Sequence, residues 1–213
     1  MSIFDTLAAH GVVPVIEIED AAHALPLADA LIEGGLPVAE VTFRTPVAPA
    51  AIATIAQERP DVVIGAGTVL THTEVDAAVE AGARFALSPG LDADTIAYAG
   101  ARGLPFAPSV MTPSELQAAI KHGCEMVKYF PAMASGGPKM LASISGPYAH
   151  CGMGFNPTGG VTLDNMAEWL ALPQVRAVGG TWIARRADIA AGNWDVIAAN
   201  AKAAAARVAE IRG

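Results

Sequence analysis

Glu125-Met-Val-Lys-Tyr-Phe-Pro131 reads as a buried strand with one lysine in its middle. Met126, Val127, Tyr129 and Phe130 flank Lys128, and Pro131 stops the run. Strand alternation puts Met126, Lys128 and Phe130 on one face. A lone ammonium there is costly unless a site uses it. Burial favours the free amine, a nucleophile toward a ketone or aldehyde. A plainer explanation is a strand-end lysine that reaches solvent or pairs with a carboxylate. The residues on the other strands decide between the two.

On both sides of this stretch, apolar strand-like runs begin near residues 12, 38, 62, 84, 105, 126, 151 and 175, spaced by 21 to 26 residues. Helical patterns alternate with them over about 19–33, 46–58, 73–81, 92–101, 113–122 and 194–211. A short helix leads the chain at 2–9, and another follows the Ser135-Gly-Gly-Pro138 loop and ends near Ile144. Pro46 suits a first helical turn, and Gly34, Gly82 and Gly123 suit helix ends. Eight strand and helix units predict an α/β fold, a closed (β/α)8 TIM barrel. It would be a single domain over residues 1–213, with short helices because the chain falls below the usual length of about 250. An open doubly wound sheet is the competing arrangement. Its glycine-rich dinucleotide turn is missing, since Gly11 precedes the first strand and Glu17-Ile-Glu-Asp20 follows it.

Composition narrows the class. The chain is 53% hydrophobic, which suits a sizeable core, and its formal net charge of -8 is the wrong sign for a general nucleic-acid binder. Cys124 and Cys151 lack metal-ligand spacing, so a reduced, cytoplasmic protein is expected. The start Met1-Ser-Ile-Phe-Asp5 has no positive region leading into a long apolar core, and no later run is long enough to span a bilayer. Only 16% of residues are charged, and low charge with abundant alanine predicts apolar surface hidden by self-association.

Polar groups gather at one end of the expected barrel. In Val38-Ala-Glu-Val-Thr-Phe-Arg-Thr45, Glu40, Thr42 and Arg44 share a face while Val41 and Phe43 take the other. A barrel turns one face of every strand inward, so Glu40 and Lys128 become a candidate carboxylate and amine pair. Arg44 ends its strand at the side where sites of this architecture open, and its planar fork suits a carboxylate or phosphate. Thr68, with Gly65 and Gly67 beside it, follows the third strand and could hold an anion or simply start a helix. Ser88-Pro89-Gly90 makes a tight turn after the fourth. Pro157-Thr-Gly-Gly160 and Gly179-Gly-Thr-Trp182 follow the seventh and eighth strands, where barrels commonly hold phosphate on free amides. His10, His23, His72, His122 and His150 are scattered and lack the HExxH spacing of a zinc protease. No metal or other cofactor is expected.

An amine, a carboxylate and anion holders suit Schiff-base chemistry. The Lys128 amine can condense with a 2-keto acid to an iminium, an electron sink for making or breaking the adjacent carbon bond. Glu40 can move the protons. A phosphosugar isomerase with Glu40 as base, and a noncatalytic barrel that holds a phosphate ligand, remain open at this point.

At these residues the chain resembles the 2-keto-3-deoxy-6-phosphogluconate aldolase family, many members of which also cleave 4-hydroxy-2-oxoglutarate. The resemblance runs through nearly the whole chain. It implies a metal-independent aldolase with Lys128 as nucleophile, Glu40 as proton carrier, and Arg44 and Thr68 on the keto-acid carboxylate. Pro89 and Phe130 would shape the pocket, and Thr158, Gly159, Gly160, Gly180 and Thr181 would contact phosphate. Small-molecule 2-keto acid and phosphorylated sugar-acid substrates are implied, as is a homotrimer. The chain departs from the family pattern at Met133, where glutamate is common, at Thr181, where serine is usual, and at Ala107-Pro-Ser-Val110, which replaces a proline and glycine turn.

Overall fold

A computed structural model describes residues 2–213. The strands are β1 (Val12–Ile16), β2 (Val38–Thr42), β3 (Val63–Gly67), β4 (Ala86–Leu87), β5 (Phe106–Ala107), β6 (Ser109–Val110), β7 (Met126–Tyr129), β8 (Gly154–Pro157) and β9 (Val178–Gly180). The helices are α1 (Ile3–His10), α2 (Ala24–Glu33), α3 (Ala48–Glu58), α4 (His72–Glu80), α5 (Ala93–Ala101), α6 (Pro113–Lys121), α7 (Gly137–Ser145), α8 (Met166–Leu170), α9 (Arg186–Ala190) and α10 (Trp194–Arg212). Short 3-10 turns cover Ala21–His23 and Gly146–Cys151.

All strand pairs are parallel, in two arcs ordered β5-β4-β3-β2-β1-β9 and β6-β7-β8. The chain itself joins the arcs at Pro108, and two isolated bridges, Phe155 to Val175 and Thr158 to Gly179, join them on the other side. The result is a TIM-barrel-like wall whose hydrogen-bonded sheet is not fully closed. Proline explains the first seam. It has no N–H to donate, so β5 stops at Ala107, where the expected fifth strand ends, and β6 begins beyond the proline on the other arc, although the Pro108 carbonyl still accepts from the Lys128 N–H at 2.9 Å. Pro14 is accommodated inside β1 because pairing changes sides there: Val12–Pro14 face β9, and Val15 and Ile16 face β2.

The last two strands start about three residues later than the hydrophobic runs at 151 and 175 imply. Cys151 finishes the 3-10 turn and Gly152 takes a left-handed conformation, so extension begins only at Gly154. Val175 makes one isolated bridge, to Phe155, before regular pairing resumes at Val178.

Helix starts follow local chemistry. Ser2, Thr71 and Thr112 cap α1, α4 and α6, each in a reciprocal capping box with Asp5, Glu74 and Glu115. The core is continuous, from Leu7 through Ile16, Val41, Phe85, Val127 and Trp169 to Val208. Among the described residues no helix is long and apolar enough to cross a membrane.

Candidate active site

Lys128 sits third in β7, in register with Ser109 on one side and Asn156 on the other. Glu40 is third in β2, between Val15 and Gly65. Both side chains turn into the barrel and meet: Nζ of Lys128 donates to Oε1 of Glu40 at 2.9 Å. Lys128 is 5% exposed and Glu40 0%. The contact is a buried ion pair in which each charge offsets the other's loss of water. Oε2 of Glu40 is buried without a partner. The glycines of β3 make room for this arrangement. A Cβ at Gly65 would collide with the Phe85 ring, and one at Gly67 with the Glu40 carboxylate. The interior is therefore layered, with Phe85 in one layer and the Glu40 carboxylate in the next. Phe130, just past β7, holds its ring centre 5.7 Å from the Lys128 Nζ.

Thr42 and Arg44 do not join that pair. The Thr42 hydroxyl donates to the Ile16 carbonyl at 3.0 Å, a stitch between β2 and β1. Arg44 lies in the turn beyond β2 with its side chain 50% exposed, 3.6 Å from Oε2 of Glu17. Glu17 also pairs with Arg186 at 3.0 Å, and Arg186 reaches Glu19. This charged rim stands at the C-terminal ends of the strands. Thr68 has φ 58, the one non-glycine residue with positive φ among the described residues. Such strain in a β-branched residue persists only where the surroundings impose it. Pro89 is exposed, in a turn held by the Ser88 hydroxyl donating to the Gly90 carbonyl at 2.6 Å.

The two glycine loops come together. Thr158 bridges Gly179, and a Cβ at Gly179 would collide with the Thr158 hydroxyl. Gly159 and Gly160 have φ 98 and 79, conformations that side chains other than glycine's resist. The amides of Ala132 and Met133 donate to the carbonyls of Thr158 and Gly159 at 2.8 and 3.0 Å, so the segment after Lys128 is zipped to this loop. Gly180 ends β9, and Thr181 is exposed just beyond it. Met133 packs over Gly160, where a Cβ would come within 2.7 Å of the methionine Cβ.

Gly67 and Gly179 are legible in the sequence only as members of glycine-rich turns, and the sequence assigns no role to Glu17 or Asn156. The first two act through the side chains they lack. Glu17 is legible only as the residue after a strand. Asn156 is hidden because a strand starting at 151 gives no reason to align it with Lys128. It is 1% exposed, and its Oδ1 accepts from the Thr158 hydroxyl at 2.8 Å.

Among the described residues no three His, Cys, Asp or Glu side chains gather to hold a metal ion. A cleft of about 510 Å³ lies at the opposite end of the barrel between Tyr148, Met153 and Arg176, and none of the site residues lines it.

Known proteins resemble this chain in sequence and fold. The model of the family described as KDPG and KHG aldolase matches residues 3–200. The 2-dehydro-3-deoxy-phosphogluconate aldolase of Pseudoalteromonas atlantica is 44% identical over 207 residues, covering 97% of this chain and 95% of that protein. Its counterpart from Treponema pallidum is 43% identical over 199 residues, covering 93% and 94%. A crystal structure of KDPG aldolase from Legionella pneumophila, with pyruvate captured at low pH as a covalent carbinolamine intermediate, superposes with a TM-score of 0.90 at 42% identity, covering 95% of this chain and 98% of that one. The chain belongs to the KDPG and KHG aldolase family.

Proposed function

We propose that the protein is a class I aldolase that cleaves 2-keto-3-deoxy-6-phosphogluconate to pyruvate and glyceraldehyde 3-phosphate, with 4-hydroxy-2-oxoglutarate as a second substrate giving pyruvate and glyoxylate. The observation that carries this reading is the buried 2.9 Å contact between Lys128 and Glu40. Proton transfer along it leaves a free amine beside a neutral carboxylic acid. The amine attacks C2 of the keto acid, and the nitrogen's proton passes to the former carbonyl oxygen to give a carbinolamine. Glu40 then protonates that hydroxyl, water leaves, and the nitrogen lone pair forms the iminium. The resulting Glu40 carboxylate takes the proton of the C4 hydroxyl. The C3–C4 bond breaks, its electrons run into the iminium to form an enamine, and the aldehyde departs. Protonation at C3 and hydrolysis release pyruvate and restore Lys128.

In the same reading Arg44 and Thr68 hold the substrate carboxylate, and Pro89 and Phe130 shape the pocket. Thr158, Gly159, Gly160, Gly180 and Thr181 take the phosphate. The 39% identical Zymomonas mobilis aldolase, crystallised with 3-phosphoglycerate, supports a phosphate subsite in this fold. Neither an isomerase nor a passive ligand holder needs a lysine against the catalytic carboxylate, and family membership favours the aldolase over both. Residues 1–213 are read as one catalytic domain, a homotrimer in the cytoplasm. Exposed Leu70, Met111, Met133 and Met140 supply apolar surface for self-association.

Intact mass after incubation with pyruvate and sodium borohydride, followed by peptide mapping, tests the chemistry. A reduced pyruvate adduct on Lys128 is the expected result. Folded protein with no adduct, or with an adduct on another lysine, overturns the assignment.

A further inference from the structure

Two buried polar atoms beside Lys128 are unpartnered, and they have opposite hydrogen-bonding character. Oε2 of Glu40 is an acceptor and Nδ2 of Asn156 is a donor. Asn156 is the register neighbour of Lys128 on β8, and adjacent strands lie about 4.8 Å apart, so the two side chains enter the interior side by side. The Thr158 hydroxyl donates to Oδ1 of Asn156 at 2.8 Å and fixes the carboxamide plane, which leaves Nδ2 free to donate elsewhere. In the resting pair that donor has nothing to meet, because the Lys128 ammonium beside it is itself a donor. A buried donor needs an acceptor, and the reaction supplies one.

Resting on the aldolase reading above, we propose that Asn156 is a catalytic residue that binds the oxygen of the carbinolamine formed at Lys128. When the Lys128 nitrogen bonds to C2, the former carbonyl oxygen becomes a hydroxyl one atom beyond that nitrogen. Its lone pair accepts from the Asn156 Nδ2–H, and its proton is offered to the Glu40 carboxyl. A hydroxyl is a group that satisfies both unpartnered atoms at once. As the C–O bond breaks, the electron pair leaves with oxygen, which takes its second proton from Glu40 and departs as water. Asn156 supports the charge that develops on that oxygen and holds the water in place for the reverse hydration that frees pyruvate.

Asn156→Val and Asn156→Thr test this, being a matched pair of similar shape in which only threonine carries a donor. Each is mixed with pyruvate, quenched with borohydride at successive times, and assayed for the rate of Lys128 adduct formation alongside kcat and KM for aldol cleavage. Loss of one donor to a developing oxyanion costs about 10²- to 10³-fold. Valine should slow adduct formation and kcat by at least about tenfold with a small change in KM, and threonine should recover much of the loss. Wild-type rates in the valine variant overturn the inference, as does an equal loss in both variants. If valine does not fold, threonine carries the test: a wild-type rate supports the donor's role, and a rate as slow as that of Asn156→Ala overturns it. No adduct on Lys128 in the wild-type protein would instead remove the aldolase reading itself, so the two failures are distinguishable.

Discussion

Lys128 and Glu40 are 88 residues apart in the chain, and Nζ of one lies 2.9 Å from Oε1 of the other inside the barrel. Removing either partner leaves the other charge buried alone, which costs about 3–5 kcal/mol in stability where the charge is retained. Glu40→Gln keeps the shape and can still accept a hydrogen bond. It should therefore fold, yet lower kcat by about 10²- to 10⁴-fold through the lost proton transfer. Steady-state cleavage measured by coupled pyruvate detection checks this; unchanged kcat removes Glu40 from the chemistry.

Gly67 is small because the Glu40 carboxylate fills the space its side chain would take. Gly67→Ala should push that carboxylate off Lys128, reducing kcat/KM by at least about tenfold at a packing cost of about 1–3 kcal/mol. Gly100→Ala is the comparison. Nothing lies within 4 Å of a Cβ there, the residue is inside α5, and the change should stabilise by about 0.5–1 kcal/mol. Denaturant melts and rate assays of the two variants together separate crowding of the site from an effect of alanine itself.

Arg44 stands exposed on the rim with Glu17 as its ion-pair partner. If it clamps the keto-acid carboxylate, Arg44→Ala forfeits a charge-assisted bond worth about 1.5–3 kcal/mol and should raise KM by about 10- to 100-fold. Glu17→Gln weakens the rim contacts to Arg44 and Arg186 and should shift KM by less than about fivefold. An Arg44→Ala enzyme with normal KM would place the carboxylate elsewhere.

Cys124 is half-buried, and loss of solvent pushes its thiol up to about 11. Because the thiolate is the reactive form, its alkylation by iodoacetamide should be slow at pH 8 and accelerate toward pH 11. The exposed Cys151 should label first. The linkage sign agrees: the thiol's contribution to stability is complete below the unfolded value of about 8.5 and is lost as pH rises through 11. Mass-mapped labelling over pH decides, and early modification of Cys124 would mean that its helix end opens in solution.

Thr71 and Thr112 begin α4 and α6 in matching capping boxes. Each threonine to alanine change should cost about 1 kcal/mol. The two should add in the double variant, because distant sites couple weakly. Urea midpoints measure both.

Local patterns in the chain carry their meaning without the fold. Alternation in residues 38–45 and 125–131 put Glu40 and Lys128 on inward faces, and regular strand spacing implied a barrel that brings such faces together. The capping signals at Thr71 and Thr112 are equally local. Those readings hold because periodicity and caps depend on neighbours a few residues away. The seam at Pro108, the late starts of β8 and β9, and the register of Asn156 with Lys128 depend on which backbone groups find partners across the wall. The space kept open by Gly67 and Gly179 depends on side chains from other strands. Sequence by itself determined the lysine, the carboxylate and the barrel that could join them. Only the tertiary structure decided which atoms meet and which are left unpartnered, because hydrogen-bond register and steric exclusion arise between segments far apart in the chain.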